Sequence, residues 1–316
     1  METWGRIAVF DLETTGVDVD TSRIVSACVA ILDADGAVVG RWDWLADPGV
    51  VIPEGASNVH GITPERARAE GRPAALVVGE IAQAIRMVVA LGMPLVVYNA
   101  PYDLSLLDRE CRRHRVPVVE GIAPVIDPLV IDKSVDRYRK GKRTLEVTCE
   151  RYGVTLDGAH DAGADAIAAG RLALALARAF PDDVGIAARD LHGRQEVWYR
   201  EQAERFEDYI RSTKGDTAFE ADRSWPLRPL SNPHAFEDTH PTPPPPPRPS
   251  ATVGAIELFA IPAAAPEVRP VAPSSVYASA PPPLPPRERA STAVEHAPGR
   301  APRRSAVIGV AAGIIT

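Results

Sequence analysis

The chain is poor in cysteine, with only Cys28, Cys111 and Cys149 among its 316 residues. The number is odd, the positions are isolated and none has metal-ligand spacing. That argues against a disulfide framework or a cysteine zinc site, and fits core thiols in a reducing compartment. No apolar run reaches the roughly 20 residues of a membrane-spanning helix, and the apolar stretch from Ala306 to Thr316 falls well short of it. No charged-then-apolar leader opens the sequence, so a cytoplasmic protein without membrane contact is expected. Basic charge is also lacking: 35 Lys and Arg stand against 42 Asp and Glu, a net −7, which by itself speaks against nonspecific binding to a polyanion. Proline is scarce at first and abundant later, with ten residues up to Pro181 and the other 21 from Pro226 onward. A packed domain is expected to stop before that proline-rich third begins.

What the chain does have begins at Ile7-Ala8-Val9-Phe10-Asp11-Leu12-Glu13-Thr14-Thr15-Gly16, a β-branched and apolar run that ends in two acids and a turn. Side chains alternate across a strand, so Asp11 and Glu13 point to one face. Two carboxylates that close repel each other and need a proton, a cation or ample solvent. Arg23 to Leu32 and Ala37 to Leu45 are further apolar runs joined by the turn signal Asp33-Ala34-Asp35-Gly36, which predicts an antiparallel meander of three strands.

Thr63 is an expected N-cap with Pro64 at the first helical position. Residues 73–91 carry apolar side chains at helical spacing. Residues 94–98 form a short buried strand that hands over at Asn99-Ala100-Pro101-Tyr102-Asp103 to another helix. Asp103 thereby falls in a first helical turn at the carboxyl end of a strand, the edge where ligands sit in open α/β sheets. Residues 125–127 are read as a strand, 144–152 as a helix stopped by Gly153. His160 and Asp165 stand at the start of a further helix running to about Phe180. Three antiparallel strands followed by alternating helices and strands predict a mixed-sheet α/β domain. Its expected limits are 1–184, with a helical extension over 185–225 and a disordered proline-rich tail over 226–316.

Phe10-Asp11-Leu12-Glu13-Thr14-Thr15-Gly16, Asn99-Ala100-Pro101-Tyr102-Asp103 and His160-Asp161-Ala162-Gly163-Ala164-Asp165-Ala166 resemble, in order, the three motifs of the DEDDh-type 3'-5' exonucleases. That family includes the proofreading epsilon subunit of bacterial DNA polymerase III. Val59-His60-Gly61-Ile62 and Lys142-Arg143-Thr144-Leu145 resemble segments that recur there at the same places. The resemblance spans about Gly5 to Phe180 and implies an RNase H-like fold. It further implies two divalent ions, Mg²⁺ or Mn²⁺, held by Asp11, Glu13, Asp103 and Asp165, with His160 as general base and Thr14, Thr15, His60, Asn99 and Tyr102 near the substrate. Oxygen ligands suit Mg²⁺, and an imidazole can take a proton near neutral pH.

Two positions depart from the family pattern. Tyr102 stands where Phe is more usual, which retains an aromatic. Gly163 stands where a larger apolar residue is usual, and a helical glycine costs roughly 1 kcal/mol against alanine, so it is expected to loosen the turn between His160 and Asp165. His60 either lines the nucleotide pocket or caps the Thr63 helix. Thr14 and Thr15 either offer groups to the terminal nucleotide or only form the turn. The run Arg137, Arg139, Lys140, Lys142 and Arg143 is either a phosphate contact or a solvated loop. His114, His192, His234, His240 and His296 have no partner pattern and are expected on the surface.

The expected activity is metal-dependent 3'-5' digestion of single-stranded or frayed DNA ends to 5'-mononucleotides, in replication proofreading or repair, with proofreading in trans. The alternatives are an exoribonuclease of the same family, or a weakly catalytic binding module. A polymerase or sliding-clamp contact would fall in the helical extension or the tail. There Ala255-Ile256-Glu257-Leu258-Phe259 resembles a clamp-docking peptide without its leading glutamine, and Pro282-Pro283-Leu284-Pro285-Pro286-Arg287 matches a polyproline-II ligand pattern.

Overall fold

A computed structural model describes residues 4–156, 158–232 and 236. Strand β1 (Ile7–Thr14) is central, and its residues Ile7 to Phe10 are fully buried. It pairs antiparallel with β2 (Ile24–Leu32), placing Asp11 opposite Cys28. β2 in turn pairs antiparallel with β3 (Val38–Asp47). The turn between them forms because Asp33 accepts from the amides of Asp35 and Ala37 at 3.0 and 2.9 Å, and because Gly36 adopts φ 83°, a value open to glycine.

α1 (Glu54–His60) and α2 (Pro64–Glu70) follow, and the Thr63 side chain caps α2 by accepting from Arg66 N. The two-residue β4 (Arg72–Pro73) lies parallel to the end of β3. After α3 (Ala74–Ala90) comes β5 (Leu95–Val96), parallel to β1, then α4 (Ala100–Arg113) and β6 (Val125–Ile126), parallel to β5. The sheet order is β4-β3-β2-β1-β5-β6. α5 (Pro128–Val135), α6 (Leu145–Arg151), α7 (Ala162–Ala179) and α8 (Ala188–Lys214) complete the described elements. This is the expected mixed sheet flanked by helices, of RNase H-like type. α1, β4 and α5 were not foreseen.

α7 lies along β1 and β2, its alanines and leucines packed with Ile7, Val9, Ala30 and Leu32. Gly170 permits this approach, since a Cβ there would stand 2.4 Å from Val9 Cγ1. Residues of the other alternation, Ala8, Phe10, Val29 and Ile31, are buried as well, and α3 and α4 cover that side.

α8 closes the sheet edge. Buried Gln195 accepts from Asp127 N at 2.7 Å and donates to Val125 O at 3.0 Å, while His192 Nδ1 accepts from Val125 N at 3.0 Å. Side chains thus satisfy the outer backbone groups of β6 in place of another strand. The expectation of a surface His192 is therefore corrected: its ring is half-buried and packs against Trp225, 4.9 Å between centroids. His114 is half-buried too, beside the buried Glu110 and Arg23. Beyond α8, Trp225 to Ser231 runs back over α4. Arg228 N donates to Ser105 Oγ at 2.8 Å, and buried Arg109 donates to the carbonyls of Arg228 and Pro229. His234, His240, His296 and the segments 255–259 and 282–287 lie outside the described residues. Among the described residues no helix is long and apolar enough to cross a membrane.

Candidate active site

Strand alternation delivers Asp11 and Glu13 to one face of β1, and α7, packed on that strand, brings Asp165 from its first turn to meet them. One carboxylate oxygen from each of the three lies within 4.8 Å of the others. Asp103, in the first turn of α4, is buried beside Asp11 and anchored by accepting from Leu12 N at 3.1 Å. It backs the trio without joining its tightest grouping.

His160 is exposed on the loop before α7 and adopts φ 68°, a left-handed conformation uncommon outside glycine. Its amide donates to Asp165 Oδ2 at 3.2 Å. The five residues line one cleft of about 410 Å³ with Asn99, Tyr102 and Glu146.

The electrostatics describe a site built for cations. Burial, followed by the charges of Asp103 and Glu13, pushes the Asp11 carboxyl well above the ordinary range. Burial raises Asp103 likewise, opposed by backbone hydrogen bonds. Glu13 is pushed up to about 8 by burial and then by Asp165, and Asp165 to about 6 by burial, partly offset by the amide of His160. Asp165 Oδ1 is buried and makes no hydrogen bond among the described residues. Hard oxygen donors crowded together, one of them orphaned, fit a divalent cation.

The remaining predicted residues separate by partner. The Tyr102 hydroxyl reaches Thr14 Oγ1 at 2.6 Å and also donates to Gly16 O, and Thr14 Oγ1 donates to Gly16 O at 2.7 Å. Tyr102 therefore ties the turn after β1 in a way phenylalanine could not. Thr15 faces inward, where its hydroxyl accepts from Arg23 N at 2.9 Å. His60 ends α1, accepts from Ile62 N at 3.1 Å, and lies within reach of the Thr14 backbone and of His160. The α2 cap belongs to Thr63 instead.

Asn99 is left-handed at φ 62°, its amide bound by Asp127 at 3.0 Å. Of the basic run, Arg139 and Arg143 both clamp the buried Asp132, so these two arginines hold the loop rather than project from it. Gly163 makes room for Arg41: a Cβ there would stand 2.0 Å from Arg41 Nη2.

Sequence reasoning missed Asp127, Asp132 and Glu146. Asp127 was findable as an N-cap before Pro128, the residue at the first helical position. Asp132, whose partners lie seven or more residues away, left no local signal.

A twisted mixed sheet with acids at the end of its central strand, joined by one acid from each of two helix starts, defines an RNase H-like nuclease of the DEDD type. The chain belongs to the exonuclease family RNase_T, whose profile matches residues 8–173. Among curated proteins it is similar to the PolC-type DNA polymerase III of Streptococcus thermophilus, 30% identical over 165 residues, 52% of this chain and 10% of that protein. The same polymerase of Lacticaseibacillus paracasei is 30% identical over 168 residues, 53% of this chain and 11% of that protein. The chain thus spans only about a tenth of the length of these relatives. Among solved structures it resembles the zinc-bound form of an E. coli ExoI–ssDNA complex, with TM-score 0.50, 20% identity, and coverage of 62% of this chain and 43% of that one. That likeness concerns the fold.

Linkage gives the acid cluster a stability signature. The native values of about 8 for Glu13 and about 6 for Asp165 exceed the roughly 4 of a carboxyl in an unfolded chain. Between those values the native state binds more protons than the unfolded state, so stability falls as pH rises from about 4 to about 8. Metal-stripped protein is expected to melt lower at about pH 8 than at about pH 5.5, with added Mg²⁺ or Mn²⁺ raising the melting temperature more at the higher pH. Glu13→Gln should flatten that pH slope. Thermal melts with the slope unchanged in this variant would show that the cluster is not the source.

Proposed function

We propose that the chain is a divalent-metal-dependent 3'-5' exonuclease that removes 5'-mononucleotides from DNA ends. The observation that carries this reading is the carboxylate trio Asp11, Glu13 and Asp165, within 4.8 Å of one another, with His160 on the same cleft. Asp11, Glu13 and Asp165 would hold divalent ions, with Asp103 supporting Asp11 from beneath. When bound, two such ions supply an activated water at neutral pH and charge stabilisation for the oxygens of an in-line phosphodiester displacement.

The chain's own groups do the rest. His160, exposed and tethered through its amide to Asp165, takes the proton of the attacking water. Tyr102 and Thr14 fix the turn beside which the terminal nucleotide sits, which favours a chain end over an internal bond. Similarity to polymerase III relatives supports DNA as substrate over RNA.

The test is digestion of 3'-labelled DNA and RNA oligonucleotides of matched sequence, with Mg²⁺ or Mn²⁺, with EDTA, and with Asp103→Ala. Stepwise shortening of DNA from the 3' end is expected, lost in EDTA and lowered at least about a hundredfold by the substitution. Faster RNA decay would overturn the DNA preference. Intact oligonucleotides under every condition would leave a binding module as the better reading.

A further inference from the structure

The loop that presents His160 has a hold outside its own segment. His160 is left-handed at φ 68° and follows Gly158 at φ 83°. Such a conformation in a non-glycine residue persists only where surrounding structure determines it. From within the segment it is held by the His160 amide on Asp165, by Asp161 N donating to Gly158 O at 3.3 Å, and by the Asp161 side chain capping α7 at Ala164 N at 3.0 Å.

From outside comes Arg41. It projects from β3, two strands away from β1, and is aimed by a two-pronged bond to Asp43: Nε to Oδ2 at 2.7 Å and Nη2 to Oδ1 at 2.8 Å. Its Nη2 then stands 3.7 Å from Asp161 Oδ1. It also fills the space that a side chain at position 163 would need, with Nη2 and Cζ 2.0 and 2.5 Å from a Cβ built there.

We infer that Arg41 is a positioning residue for His160, acting through the slot left by Gly163. This rests on the reading of His160 as the general base. Two effects combine. The guanidinium, pinned by Asp43, spans from the sheet to the first turn of α7, so the loop just before that turn is braced against a strand. It also offsets Asp161, whose charge otherwise adds to the load on Asp11, Glu13 and Asp165. The pair is partly exposed, 40% for Arg41 and 67% for Asp161, so its direct attraction is modest. The brace comes from the shape of the fork and the slot rather than from a strong ion pair. The glycine that breaks the family pattern is accounted for by the same contact, since any larger residue would expel the fork.

The test uses the full-length chain with Arg41→Met, Gly163→Ala, their double variant, Asp161→Asn and His160→Ala. Turnover of a 3'-labelled DNA oligonucleotide and amide hydrogen exchange over 158–161 are both measured. For Arg41→Met and Gly163→Ala, kcat is expected to fall about threefold to tenfold with KM held within about twofold, and loop exchange to quicken. The double variant should be no slower than the worse single, because both remove one contact. Asp161→Asn keeps a capping oxygen but loses the charge, and should reproduce part of the effect. Unchanged kcat and exchange in both singles, or losses that multiply in the double, would overturn the inference. If His160→Ala turns over like wild type, the base assignment fails instead. In that case faster exchange in the Arg41 and Gly163 variants would still register the brace on its own.

Discussion

Asp11→Asn is expected to lower 3'-end digestion by at least about 10³, while the metal-free protein becomes more resistant to heat. The first effect follows from the position of Asp11 at the centre of the cluster, beside Asp103 and sharing one face of β1 with Glu13. Charge stabilisation by bound divalent ions supplies several kcal/mol to a phosphoryl displacement, and each 1.36 kcal/mol is tenfold, so losing the central ligand removes about three powers of ten or more. The second effect has the opposite sign. Burial and four neighbouring acids hold the Asp11 carboxyl well above its ordinary range, so keeping it charged at neutral pH opposes folding, and an amide of the same shape relieves that load. The increment that Mg²⁺ adds to the wild-type melting temperature should shrink sharply in the variant. Kinetics and thermal melts on one preparation check all three outcomes. An Asp11→Asn protein that is inactive yet less stable without metal would mean that Asp11 makes a structural bond, and the metal-ligand role would have to be withdrawn.

The parts of the fold legible in the sequence are those with local cause. Apolar, β-branched runs marked β1 to β3, and the Asp33 to Gly36 turn fixed their pairing. Helical spacing marked the long helices, and alternation alone put Asp11 and Glu13 on one face. What escaped is governed by partners distant in sequence or by elements too short to show a period. α5 spans eight residues and begins where a strand ends. The role of α8 depends on amide and imidazole groups that replace a strand partner some 70 residues earlier, so His192 read as a surface residue. Arg139 and Arg143 read as an open basic run because nothing nearby announces Asp132 as their shared acceptor. Tyr102 read as an aromatic near the substrate, whereas its hydroxyl touches the turn after β1. The weakness expected at Gly163 was an inference from one helix in isolation, and Arg41, 122 residues earlier, occupies the gap.

Asp127 illustrates how far the site depends on such remote partners, and its loss is expected to have the largest stability effect. The carboxylate is fully buried. One oxygen accepts from Asn99 N and Leu129 N, both at 3.0 Å, and from Val130 N at 3.4 Å, and the other from Ala100 N at 3.0 Å and Trp225 Nε1 at 3.4 Å. It thus joins the left-handed residue before α4, the start of α5, and the segment returning from α8. Asp127→Ala removes an N-cap, worth about 1 kcal/mol, and orphans several buried donors at about 1–3 kcal/mol each, so a combined loss of roughly 3–5 kcal/mol is expected. For a folded region of this size that is a fall of about 10 °C in melting temperature. Turnover should fall as well, even well below the variant's melting point, because Asn99 and Ala100 set the angle at which α4 presents Asp103. Asp127→Asn retains one acceptor but turns an amino group toward amide donors, and should lie between wild type and alanine in both measures. Melts with digestion assays at low temperature separate the two effects. A loss under about 1 kcal/mol would mean that other acceptors can take over the five donors. Full turnover in a strongly destabilised variant would mean that α4 is positioned by its packing on α3 and β2, leaving Asp127 a role in stability alone.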